Sequence, residues 1–121
     1  MAKEAYIVME DDRVPFTLSE NVEVGDIIQY GKEMIAVAGT SGLAGETITV
    51  YLSDAIVEAS AAVADGINVG DKLYWNHIDR VLTLKSDSVG DGTGTPFNPA
   101  GHAVTSKAAN VAGTVRFILN K

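Results

Sequence analysis

Asp26 and Asp71 are the residues most open to a chemical reading. Each follows a glycine in a repeated phrase, "VEVGD" at residues 22–26 and "INVGD" at residues 67–71. Two carboxylates brought together could share a proton or hold a cation. A second role fits both copies. Glycine takes φ > 0 without steric cost, and aspartate accepts hydrogen bonds from nearby backbone N–H groups. Gly25–Asp26 and Gly70–Asp71 then read as structural turns that steer the chain into a strand. No other residue nearby supports acid–base or metal work, so the structural role is the expected one.

The remaining candidates are weaker. "GDGTG" at residues 90–94 resembles a phosphate loop, yet it lacks the Gly-Lys-Ser/Thr ending and opens no helix. "EDD" (Glu10, Asp11, Asp12) lacks the spaced oxygen ligands of a calcium loop and reads as a solvated hairpin tip. The two histidines, His77 and His102, are too few for a multi-His site. His77 is expected in an exposed hairpin loop, and His102 packed or paired at the start of a strand. No Gly-x-Ser-x-Gly elbow occurs. The chain has no cysteine, which excludes disulfides, thiolate metal sites and a Cys nucleophile. The expectation is a protein with no enzymatic activity and no cofactor.

The elements around these residues read as strands. "TITVYL" puts Ile48, Val50 and Leu52 on one face, and "TVRFIL" does the same with Val115, Phe117 and Leu119. Period-2 alternation marks a half-buried strand. Further strands are expected at Ala5–Met9, Val14–Leu18, Ile27–Tyr30, Met34–Ala38, Ala55–Glu58, Lys72–Trp75, Val81–Leu84 and His102–Thr105. "EASAAVADG" (residues 58–66) reads as loop or a short helical turn. Residues 86–101 hold four glycines and two prolines and read as a long surface loop.

Aligning the two Gly-Asp phrases places Val24 on Val69, Ile28 on Leu73 and Tyr30 on Trp75. "IAVAGTSGLAGETITVYL" then resembles "GHAVTSKAANVAGTVRFIL". The chain reads as two similar β units, the second enlarged by the 86–101 loop. The fold class is all-β: one domain over residues 1–121, a small barrel or sandwich with little or no helix. Residues 1–6 form an N-terminal arm in this reading. Trp75 is expected in the core. Tyr51, Tyr74 and Ile118 are expected to face outward and to offer contacts to a partner.

Composition bounds the partners. A chain of 121 residues suits one core, and 46% hydrophobic content argues against disorder. The formal charge of −7 opposes binding to nucleic acid or to anionic membranes. No apolar run is long enough to span a bilayer, and the start lacks a secretion signal. Synthesis in a cytoplasm is expected.

The opening "MAK", the "VxVGD" entry, the "AVAG…AGETITVYL" hairpin, the "VGDKLYW" strand, the "AGHAV" strand and the final "TVRFIL" resemble the capsid cement (head decoration) proteins of tailed bacteriophages and prophages. The likeness runs in order along nearly the whole chain; the long 86–101 loop departs from it. The resemblance implies a mostly β structural protein that docks on the outside of a phage head and stabilises it. The major capsid protein is then the partner, the virion surface the destination and the bacterial host cytoplasm the place of synthesis. A homo-oligomer follows, a trimer in preference to a dimer. N-terminal residues Ala2, Lys3, Glu4 and Ala5 become candidate contacts to the shell. The resemblance supplies no catalytic residue. The alternative is a small β binding module that recognises glycans or proteins, with Phe97 at the tip of the 86–101 loop.

Overall fold

The computed structural model describes residues 13–121. Among the described residues nine strands carry the fold and no helix occurs. They are β1 (Arg13–Thr17), β2 (Ile27–Tyr30), β3 (Met34–Ala38), β4 (Thr47–Tyr51), β5 (Ile56–Ala61), β6 (Lys72–Asn76), β7 (Val81–Thr83), β8 (Asn98–Ala103) and β9 (Gly113–Leu119). The first four form an open sheet in the order β1-β4-β3-β2. The last five close into a barrel in the order β5-β7-β6-β8-β9. Both are antiparallel, apart from one parallel pairing of Ala61 with Leu82. The all-β class is therefore correct, and barrel and sheet are both present.

The two units follow one plan. In the sheet, β1 pairs with β4, β4 with β3, and β3 with β2. In the barrel, β5 pairs with β9, β9 with β8, and β8 with β6. Register agrees as well: Ala38 faces Val50 in one unit and Ala103 faces Phe117 in the other. The barrel adds β7, which pairs with both β5 and β6 and joins the two ends of the sheet.

Alternation explains which residues are inside. Ile48 and Val50 of β4, and Val115, Phe117 and Leu119 of β9, are buried as their period-2 spacing requires. Two clusters result. One fills the barrel around Leu73, Trp75, Leu82 and Phe117, and it takes in Ile27 and Ile35 from the sheet. The other lies against the sheet, around Leu18, Val22, Ala36, Ala38, Ile48 and Val50. Asparagines fasten the units together. Asn98 donates to the carbonyls of Gly31 (2.9 Å) and Met34 (2.7 Å). Asn120 donates to the carbonyls of Ile35 (2.7 Å) and Leu52 (2.6 Å) and accepts from the Ile35 N–H (3.1 Å). These side chains satisfy backbone groups that the junction takes out of solvent.

Several expectations need correction. The stretch at residues 58–66 is strand as far as Ala61, followed by a turn. Asp65 in that turn accepts from the Thr83 hydroxyl (2.7 Å) and the Leu84 N–H (3.0 Å), which pins it to the end of β7. The loop at residues 86–101 is shorter than expected, because β8 begins at Asn98 rather than His102. Its remainder is tied at the base by a bridge between Asp87 and Pro96, and Phe97 is buried. The expected strand at Ala5–Met9 and the "EDD" tip lie outside the described residues.

Candidate functional site

The repeated turns are built alike. Gly25 has φ 88° and Gly70 has φ 93°, both in the region that glycine adopts freely. The Asp26 carboxylate accepts from the Glu23 N–H (2.9 Å), and the Asp71 carboxylate from the Asn68 N–H (2.8 Å). Each turn locks onto the equivalent strand of its unit, β3 in the sheet and β8 in the barrel. The Gly25 N–H donates to Ala38 and the Ala38 N–H to Asp26; Gly70, Ala103 and Asp71 repeat the pair. Asp26 and Asp71 thus spend their side chains inside their own turns. The cleft beside Asp26 is not lined by Asp71. Among the described residues, no group of three or more His, Cys, Asp or Glu side chains is placed to hold a metal ion.

A related corner escaped the sequence reading. Leu43 to Glu46 repeats the geometry: Gly45 has φ 90°, the Leu43 N–H donates to the Glu46 carboxylate (2.6 Å), and the Glu46 N–H donates to the Leu43 carbonyl (3.0 Å). "LAGE" carries glutamate where the other corners carry aspartate, so it does not repeat the Gly-Asp phrase. In each unit the first corner sits against a second segment. Val22 and Gly42 exchange backbone hydrogen bonds in the sheet, and Ile67 and Lys107 do so in the barrel.

Val24 and Val69, expected on an apolar strand face, stand instead at the tips of these turns, 64% and 67% exposed. Leu43 is exposed too. Between the sheet corners lies a cleft of ≈ 670 Å³, lined in part by Val22, Glu23, Asp26, Leu43 and Glu46.

The other candidates distribute around the molecule. Trp75 is buried in the barrel as expected, with the Arg80 guanidinium 5.4 Å from its ring. Tyr74 is half-buried, and the Lys72 ammonium lies 5.3 Å from its ring. Ile118 is half-buried on β9, opposite Ile56 of β5. Tyr51 does not face outward: it packs against the barrel cluster, because the sheet lays that face on the barrel. His77 is half-buried rather than exposed, edge-on to Phe97 at 5.8 Å and 3.2 Å from the Gln29 amide. His102 is exposed on β8, not packed. Phe97 is drawn into the interior, so the 86–101 loop has no aromatic tip. Within that loop, Asp87 is buried and accepts from the N–H groups of Val89 and Gly90. Asp91 is held below its ordinary pKa by hydrogen bonds from the Thr93 hydroxyl and the Thr93 backbone. Ala2, Lys3, Glu4 and Ala5 lie outside the described residues.

The region thus presents backbone-locked corners, short strands and an exposed apolar–acidic cleft. A family model described as phage cement protein matches residues 8–119. No curated protein and no solved structure matches the chain.

Proposed function

The chain belongs to the phage cement protein family, a structural family associated with the capsid, and from that premise we propose that it binds the outer surface of the head and stabilises the shell. The observation that carries this reading is the family match over residues 8–119. The fold supports it. Both units are held by backbone hydrogen bonds and two stapling asparagines, so little conformational entropy remains to be lost on docking.

The partner in this reading is the major capsid protein. Cement that binds the assembled lattice, and not free subunits, stabilises the lattice by mass action. The protein acts as a homo-oligomer, a trimer in preference to a dimer, so that modest single-site affinities multiply. Residues 1–6 add a strand to an exposed edge of a capsid subunit. Tyr74 and Ile118 offer further contacts. The protein is made in the host cytoplasm and reaches the virion after the lattice expands.

The test is sedimentation of cement-free expanded heads with purified protein, followed by cryo-electron microscopy. Density for the protein on the outer surface and a higher temperature of head disruption are expected. Absence of both overturns the proposal. Deleting residues 1–5 should weaken head binding and leave thermal unfolding unchanged; undiminished binding rules out the arm.

A further inference from the structure

We propose that the cleft between the two corners of the open sheet receives a basic segment of the capsid lattice, one that carries a Lys or Arg beside an apolar residue. This rests on the capsid-binding reading and adds the face and the chemistry of the contact.

The cleft sets exposed apolar side chains among carboxylates. Leu43 and the neighbouring Val24 are 62% and 64% exposed. Around them stand the carboxylates of Glu23, Asp26 and Glu46, and among the described residues no Lys or Arg lines the cleft. A Lys or Arg side chain answers both, since its methylene stem covers apolar surface while its head meets carboxylate oxygens. The walls are already fixed. The Asn21 side chain accepts from the Ala44 N–H (2.8 Å), and the Ser41 hydroxyl from the Val24 N–H (3.0 Å). Both bonds cross from one corner to the other, so the cleft is preorganised for its occupant.

The barrel provides an internal control. Its corner pair is built on the same reciprocal backbone bonds, between Ile67 and Lys107. There Asn68 occupies the position of Glu23, since its N–H caps Asp71 as the Glu23 N–H caps Asp26. Ala108 follows Lys107 as Leu43 follows Gly42. The Lys107 ammonium lies in this corner and donates to the carbonyls of Val63, Ala108 and Val111. The turn therefore forms with a neutral residue at one position and a small one at the other. Neither the Glu23 charge nor the Leu43 side chain is demanded by the fold. A second copy of the chain is a poor occupant, because a formal charge of −7 sets two copies against each other at an acidic face.

Binding to cement-free expanded heads, measured by sedimentation across a salt series, tests the proposal. Wild-type affinity should fall as salt rises. The double variant Glu23→Lys, Leu43→Ser should bind at least ~10-fold more weakly, as loss of a central contact does. Glu23→Gln should fall between the two. Val69→Ser, at the barrel corner, should bind as wild type. Unchanged thermal unfolding of each variant assigns the loss to the contact and not to the fold. Where the basic residue is Lys, carbodiimide cross-linking on wild-type heads should join the cleft carboxylates to it. Wild-type protein that does not bind heads sinks the capsid-binding reading itself. Wild-type binding that the double variant retains in full sinks only the cleft. A change in oligomer mass caused by the double variant also overturns it, because the cleft would then lie between copies.

Discussion

In the open sheet, β2 and β3 are joined across residues 31–33; in the barrel, the equivalent β6 and β8 are separated by residues 77–97. That insertion holds β7, and β7 closes the barrel by pairing with β5 and β6. One plan therefore yields two objects. Among the described residues, closure removes both edges of the barrel, whereas the sheet keeps its own. The β6–β7 turn also reaches the sheet: the Arg80 guanidinium donates to the Ile27 carbonyl (3.0 Å) on the β2 edge. The β1 edge is handled by sequence. Leu18 bonds to β4 through its N–H, so alternation turns Pro15 outward, and its missing N–H breaks the row of donors that a neighbouring strand would need. An insertion in one half of the chain thus closes that half and protects one edge of the other.

Equivalent positions in the two units give the sharpest ways to break the comparison. The largest effect is expected at Gly101, which corresponds to the buried Ala36 of the sheet. A Cβ at Gly101 would lie 1.9 Å from the Ile118 carbonyl oxygen, because the curled wall presses β8 onto β9. Gly101→Ala should cost about 4 kcal/mol or more in chemical denaturation, at the level where small domains lose their fold. A loss no greater than that of an ordinary surface change would mean that closure does not require the glycine.

Next comes Phe117 of the barrel against Val50 of the sheet, both fully buried at matching register. Phe117→Ala should cost ~3–5 kcal/mol. Val50→Ala should cost about 2 kcal/mol, since it removes less apolar volume. Equal losses in urea unfolding would show that the two clusters carry equal weight.

The smallest effect sharpens the likeness instead. Asp26→Ala and Asp71→Ala each remove one backbone N–H···carboxylate bond in an exposed turn. Each should cost about 1 kcal/mol, the net worth of an ordinary hydrogen bond in an exposed turn. Thermal unfolding of the two variants should agree closely. A loss at one several times that at the other would show that the corners are not equivalent.

Much of this was legible along the chain. The bounds of β2 and β3 coincide with the sequence expectation, and β4 and β9 follow their alternating faces. Both Gly-Asp turns do what their residue types require. Other elements resisted for local reasons. β8 contains Pro99 and Gly101, each a signal against strand, and an alanine-rich end disguised β5. The candidate cleft gave half a signal. Its first corner repeats in sequence; its second, with Glu46, does not. Asn98 and Asn120 gave none, because their partners lie 64 to 85 residues away.

The sequence by itself determined the strand content, the twofold plan and the turn chemistry, because alternation and glycine–carboxylate capping act over a few neighbouring residues. Family membership was equally readable from the ordered motifs. Only the tertiary structure decided that one unit closes while the other stays open. It also decided that Tyr51 and Phe97 turn inward and that two corners meet around an acidic cleft. These outcomes depend on pairings between residues far apart in the chain, and a window of neighbours holds no record of them.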